Sequence, residues 1–315
     1  MVLRIAGCGP VLRAGFLHRP VSATTTAAVP LPRLFSSSIN RPSTVKLGYD
    51  LHEAEKPVSN DPNHESPILF MHGLFGSKRN NRAISKALAR DLGRSIYALD
   101  LRNHGESPHA PRHDYSAMAE DVDAFIKEHS IDQPTLVGHS MGAKTAMVLA
   151  LQSPRMIKDI VSVDNAPVDA TLSTDFAKYV RAMKKIEDAG VSSQRKADEL
   201  LAEVEESLPI RQFLLSNLHT KDGLKKFRVP IDILGKALSH MGDFPHKEPG
   251  KVRFERPALF VRGTKSKYVP DEVLPVVGEF FPLFEVADID AGHWVISESP
   301  EAFRDAVVRF LSPKE

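Results

Sequence analysis

The sequence predicts an α/β fold in which a mostly parallel central sheet is flanked by helices and interrupted by an inserted helical cap. Three observations predict it. Short apolar runs alternate with stretches of helical spacing from about residue 45 to residue 167, and again from residue 251 onward, which is the signature of a parallel sheet with crossover helices. One run, at residues 134–139, ends in Gly138-His139-Ser140-Met141-Gly142 and passes straight into a helical pattern. Residues 168–250 then break the alternation with charged, amphipathic segments, as an insertion between two strands would.

The first 49 residues differ in kind from the rest. They carry Arg4, Arg13, Arg19, Arg33, Arg41 and Lys46, many Ser, Thr and Ala, and no acidic residue before Asp50. This composition predicts a mitochondrial transit peptide addressed to the matrix. Its end is expected after Phe35, because Arg33-Leu34-Phe35-Ser36 resembles a matrix processing site. The domain plan is therefore a leader at 1–35, a core in two parts at 36–167 and 251–315, and a cap at 168–250. No stretch is long and apolar enough to span a bilayer. Loss of the leader takes 41 basic residues to 37 against 40 acidic, a formal charge of −3, so no nucleic-acid footprint is expected. The one cysteine, Cys8, lies in the leader, so the remaining domain has no thiol nucleophile, disulfide or thiolate metal site. Catalysis would rest on oxygen and imidazole, with no metal and no cofactor.

Along the chain, strands are expected at 45–52, 68–71, 95–99, 134–139, 157–163, 257–261 and 283–287, each a short apolar run. Helices are expected at 78–92, stopped by Gly93, at 114–131 behind the N-cap candidate Asp114, after Ser140, and at 300–311. Within the cap, amphipathic helices are expected at 174–189, 192–207 and 210–218, with a further helical segment at 221–243. Phe213, Leu214, Leu218 and Met241 are its apolar candidates for roofing a site.

The chemistry centres on Ser140. A strand that turns sharply into a helix forces the middle residue into a strained conformation, so the residues two before and two after it must be nearly free of side chain. The helix N-terminus behind Ser140 offers free N–H groups for an oxyanion, with Met141 N–H as one donor. The loop His72-Gly73-Leu74-Phe75-Gly76 follows a buried strand and would supply the second, Leu74 first and Phe75 next. His293, on a glycine-flexed loop after the last strand, follows nucleophile and acid in chain order and is the expected base. His72 is expected to brace its loop instead, and His104 and His139 are weaker base candidates. The acid is assigned to Asp164, which the strand beside the elbow delivers to the same sheet edge. Asp271, in the turn after the next strand, and Asp232 are the alternatives. Ser266 in that turn is an auxiliary candidate that would hydrogen-bond the histidine–acid pair. Asp100 to Pro108 reads as an Asp–Arg-stabilised turn near the site.

The stretches MHGLFGSKRNN, LDLRNHGESPH, LVGHSMGAKTAM, VDNAPVD and AGHW resemble the α/β-hydrolase superfamily over nearly all of the chain after Lys46. They are most similar to the mitochondrial serine hydrolases of the abhydrolase domain-containing protein 11 type, to bacterial short-chain esterases and to fungal ethanol acetyltransferases. The resemblance implies the α/β-hydrolase fold and hydrolysis of short acyl esters or thioesters through an acyl-serine. In the acetyltransferase branch it implies transfer from acetyl-CoA to ethanol. It also places the acid at Asp164. Ala143 departs from the pattern, where relatives often carry a third glycine. A dehalogenase or epoxide-hydrolase reading fails, since those need a carboxylate at the elbow. A non-catalytic mitochondrial binding protein on the same fold is the third reading. The substrate expected is a small acyl ester or thioester, with no protein partner indicated.

Overall fold

Backbone pairing builds one seven-stranded sheet and one hairpin in the computed structural model, which describes residues 44–54 and 66–312 of the chain. The expected leader at 1–35 lies outside the described residues. The strands are β1 (Tyr49–His52), β2 (Ile68–Met71), β3 (Ile96–Leu99), β4 (Thr135–His139), β5 (Asp159–Val163), β6 (Leu218–Lys221), β7 (Leu224–Phe227), β8 (Ala258–Gly263) and β9 (Phe284–Ile289). The main sheet runs β1-β3-β2-β4-β5-β8-β9, with β1 antiparallel to β3 and every other pairing parallel. β2, β4 and β5 are buried at every residue, which explains their near-continuous apolar runs.

Helices cover both faces. They are α1 (Arg82–Leu92), α2 (Tyr115–Glu128), α3 (Met141–Gln152), α4 (Thr174–Asp188), α5 (Gln194–Ala202), α6 (Leu208–Leu215), α7 (Ile231–Ala237), α8 (Leu274–Phe280), α9 (Val295–Glu298) and α10 (Pro300–Leu311). The two-residue period of β2 sorts the core: Ile68 and Phe70 pack toward α1 and α10, while Leu69 and Met71 pack toward α2 and α3. Asp114 caps α2 as expected, its side chain accepting from Ala117 N–H.

Between β5 and β8 the chain leaves the sheet for α4 to α7 and the β6–β7 hairpin. Here three expectations need correction. The segment at 221–243 is not one helix: the hairpin closes at Asp222-Gly223, both at positive φ (52° and 77°), and only Ile231–Ala237 is helical. An Asp-Gly pair favours such a turn strongly enough to override the helical spacing around it. The helix expected at 192–207 ends at Ala202, and the one expected at 210–218 spans Leu208–Leu215, because the chain turns into the hairpin at Leu218. The first strand is also shorter than expected, four residues from Tyr49.

Parallel register fixes the carboxyl edge. His139 pairs with Val163 and Val163 with Val261, so Ser140 and Asp164, each one residue past its paired end, emerge side by side. The crossing of β4 into α3 is tight. A Cβ at Gly138 would lie 2.2 Å from the Gly142 carbonyl oxygen, and one at Gly142 would lie 2.6 Å from Met71 O and 2.8 Å from His72 O. These contacts are with backbone and cannot be relieved by a rotamer change. Gly142→Ala is therefore expected to lower unfolding free energy by about 2 kcal/mol or more, read as a drop in the denaturant midpoint at unchanged m-value; an unshifted midpoint would show that the elbow has room to spare.

Candidate active site

Ser140 sits at φ 53°, ψ −110° as the N-cap of α3, a strained conformation for a residue with a Cβ. Its N–H continues the ladder to Val163 O (2.9 Å), and its carbonyl accepts from Asn165 Nδ2 (3.1 Å). Asp164 is also at positive φ (52°) and is fully buried. Every partner of its carboxylate is a donor: Gly263 N–H to Oδ1 (3.1 Å), Ser266 O–H to Oδ2 (2.5 Å) and His293 Nδ1 to Oδ2 (2.6 Å). With Nδ1 donating, His293 Nε2 is left to accept from Ser140 Oγ, at 3.0 Å.

The histidine loop is held from several sides. Tyr268 stacks on the His293 ring (4.2 Å between centroids, 25° between planes). His139 Nε2 donates to the His293 carbonyl (2.8 Å). The Glu298 carboxylate accepts from Gly292 N–H (2.7 Å) and Trp294 N–H (3.3 Å).

The loop after β2 faces Ser140 from the other side, and a Cβ at Gly73 would lie 3.3 Å from Ser140 Cβ. Phe75 N–H is already used, donating to His104 Nε2 (3.1 Å). The Phe75 carbonyl accepts from Asn217 Nδ2 (2.7 Å). Leu74, whose amide is the first choice from the sequence, lines the space beside Ser140 together with Met141. Met141, as the first helical residue, has no intrahelical acceptor for its N–H. His72 braces this loop: its Nδ1 donates to Gly73 O (2.8 Å) and its Nε2 accepts from Leu101 N–H (3.0 Å). His104 Nδ1 donates to Arg102 O (2.9 Å), so neither ring is aimed at Ser140. The Asp100 turn is held by its aspartate but not, as expected, by an Asp–Arg pair: Asp100 accepts from Lys78 N–H and Glu106 N–H, and Gly105 (φ 55°) has no room for a Cβ. Its arginine pairs elsewhere, with Arg102 forming a buried two-pronged bond to Asp121.

The alternative acids are placed apart from His293. Asp271 is exposed and bonded to Arg262 (2.6 Å), and Asp232 stands exposed in the first turn of α7. Sequence reasoning did not single out Asn217, Asn165, Tyr268, Lys144 or Glu298. Only Asn165, adjacent to Asp164, had a positional signal.

Ser140 lines one of two spaces at this edge, and its neighbour His139 lines the other. A narrow one of about 10 Å³ is lined by Leu74, Met141, Leu172, Phe176, Met241 and Tyr268 among others, room for one water-sized group. A wide groove of about 780 Å³ runs past Gly73, His139, Phe213, Trp294 and Ile296, with the Phe213 and Trp294 rings 4.6 Å apart. Phe176, Met241 and Phe213 come from the segment between β5 and β8.

A family model described as "alpha/beta hydrolase fold" matches residues 66–300. The chain is 40% identical over 288 residues to a probable alcohol acetyltransferase of Saccharomyces cerevisiae, covering 85% of this chain and 84% of the other. It is 38% identical over 273 residues to the sn-1-specific diacylglycerol lipase ABHD11 of Xenopus tropicalis, covering 85% and 82%. Among solved structures, a marine microorganism esterase aligns with a TM-score of 0.76 at 29% identity, covering 85% of this chain and 100% of that one.

Burial holds the bracing histidines neutral, lowering the pKa of His72 to about 4 and of His104 to about 3. An unfolded histidine titrates near 6.5, so below that pH the unfolded chain binds protons that the folded one refuses. Stability from these rings is complete above about pH 6.5 and is lost as pH falls toward 4, each contributing up to about 1.4 kcal/mol per pH unit. Tm measured from pH 7 to pH 4.5 should fall steeply; a flat profile would mean that the rings are not held neutral.

Proposed function

The chain belongs to the alpha/beta hydrolase fold family, and from that premise we propose that it is a serine hydrolase of short acyl esters or thioesters, acting through an acyl-serine. The observation that carries the reading is the unbroken chain of hydrogen bonds from Ser140 Oγ through His293 to Asp164. His293, kept in one tautomer by Asp164, takes the Ser140 proton as the serine attacks an acyl carbonyl. Ser266 and Gly263 N–H hold the carboxylate in place, so Ser266 acts on the acid and not on the substrate.

The N–H groups of Leu74 and Met141 receive the oxyanion. Phe75 is the poorer donor, since His104 occupies its N–H. The departing atom must face His293 Nε2, which protonates it. Of the rings packed around His293, His139 and Trp294 line the wide groove and Tyr268 lines the narrow space; the groove, as the roomier of the two, takes the leaving group. The acyl chain then points into the narrow space behind Leu74 and Met141. Room for a single water-sized group there supports acetyl over long-chain acyl groups. His293 next activates water, and the acid leaves.

A second reading is alcohol acetyl transfer, with acetyl-CoA as donor. It is favoured by the apolar walls of the groove, Ile84, Ile210, Phe213 and Ile296, which would hold an alcohol where water must otherwise enter. The same three residues serve both. The basic, acid-free first 49 residues support a mitochondrial location for either.

Turnover of p-nitrophenyl acetate tests the reading. Ser140→Ala is expected to lower kcat by at least about 10⁴-fold and Asp164→Asn by about 10³ to 10⁴. Retained activity in Asp164→Asn with a dead Ser140→Ala would move the acid elsewhere, and no turnover by folded wild type would favour a binding protein. With acetyl-CoA, acid release without ethanol supports hydrolysis, and ethyl ester formation on adding ethanol supports transfer.

A further inference from the structure

The narrow space beside Ser140 is walled by a charged residue that the mechanism above does not use. Lys144 lies in α3 four residues beyond the nucleophile, hence on the same helical face one turn on, and is 1% exposed. Its Nζ donates to Gly242 O (2.6 Å) and Asp243 O (3.2 Å) and stands 5.6 Å above the Tyr115 ring. Tyr115 O–H in turn donates to Met241 O (2.7 Å). Two side chains thus hold three successive carbonyls of the turn at residues 241–243. The inserted segment grips the same turn from its own side. Ala170 N–H donates to Gly242 O (3.0 Å), a Cβ at Gly242 would lie 2.1 Å from Ala170 O, and Asp169 accepts from Phe244 N–H (2.7 Å).

Residues from both sides of this junction, Ala170, Leu172, Met241 and Gly242, line the space that Ser140 and Lys144 also line. Burying an ammonium group is costly unless it is hydrogen-bonded, and burial lowers its pKa to about 8. An apolar side chain of similar reach would fill the same place without that cost but could not hold two carbonyls. What the lysine supplies is a directed tie between the nucleophile helix and the wall opposite it.

Resting on the reading of Ser140 as the acyl-bearing nucleophile, we infer that Lys144 is a specificity-determining residue. By latching the 241–243 turn to α3 it fixes the far wall of the acyl space and restricts the acyl group to about acetyl size. Without the latch the wall can recede, and longer chains gain access.

The full chain, Lys144→Met and Tyr115→Phe are compared on p-nitrophenyl acetate, butyrate and octanoate. The octanoate-to-acetate ratio of kcat/KM should rise at least about tenfold in Lys144→Met, the discrimination a methylene-sized space provides, and by a smaller factor in Tyr115→Phe. A ratio unchanged in both variants overturns the inference. Hydrogen exchange gives a readout that needs no turnover: backbone amides at 169–176 and 241–244 should exchange faster in either variant, and unchanged exchange also overturns it. Should Lys144→Met fail to fold, Tyr115→Phe, which loses only a hydroxyl, decides on both readouts. If wild type turns over no ester at all, the esterase reading falls by itself and the exchange rates still decide whether the latch exists.

Discussion

The close approach of the first turn of α3 to the end of β2 is the constraint on which the rest depends. With no side chain at Gly142, the helix start rests against the carbonyls of Met71 and His72. That contact sets where the N–H groups of the helix start point, how near the Gly73 loop comes to Ser140, and how sharply β4 must bend. The bend is stored as strain at Ser140. Of seven non-glycine residues at positive φ among the described ones, Phe75, Ser140 and Asp164 gather at this edge. Strain persists only where the surroundings over-determine it, and here the surroundings are the fully buried strands β2, β4 and β5.

Around that constraint, buried imidazoles tie the loops of the site to one another. His72, His104 and His139 each hold a backbone group of a loop that touches the site, and each is kept neutral by burial. Neutral imidazole is suited to this work because it donates at one nitrogen and accepts at the other. Glu298, Tyr268 and His139 together immobilise the loop carrying His293. A preorganised base needs no reorganisation when the serine proton moves.

Much of this was legible in the sequence because it follows from local rules. Gly138 and Gly142 around Ser140, a carboxylate one residue past a buried run, and a histidine on a glycine-flexed loop after the last strand are each readable from order and spacing. The juxtaposition of Ser140 and Asp164 follows once their two strands are parallel neighbours. What was not legible depends on contacts between distant segments. Asn217 bonds Phe75 O across 142 positions, and Lys144 bonds Gly242 O across 98. An asparagine at a helix end and a lysine in a helix look alike whether they face solvent or a carbonyl. The Asp222-Gly223 hairpin was readable in principle, but the amphipathic spacing on either side of it read as helix.

The register of β4 and β5 carries a consequence for how the protein comes into being. Ser140 and Asp164 belong to one strand–helix–strand unit running from Thr135 to Asp164, so the pairing that brings them together joins segments near in sequence. His293, the base in the proposed mechanism, arrives 129 residues after Asp164, and only when β9 has docked on β8 along the pairing that ends at Gly263 and Ile289. Until then the nucleophile stands beside its acid without a base between them. On the proposed mechanism, a chain that is still being threaded, or whose carboxyl end is frayed, is an inert one, and completion of the last sheet edge is what arms it.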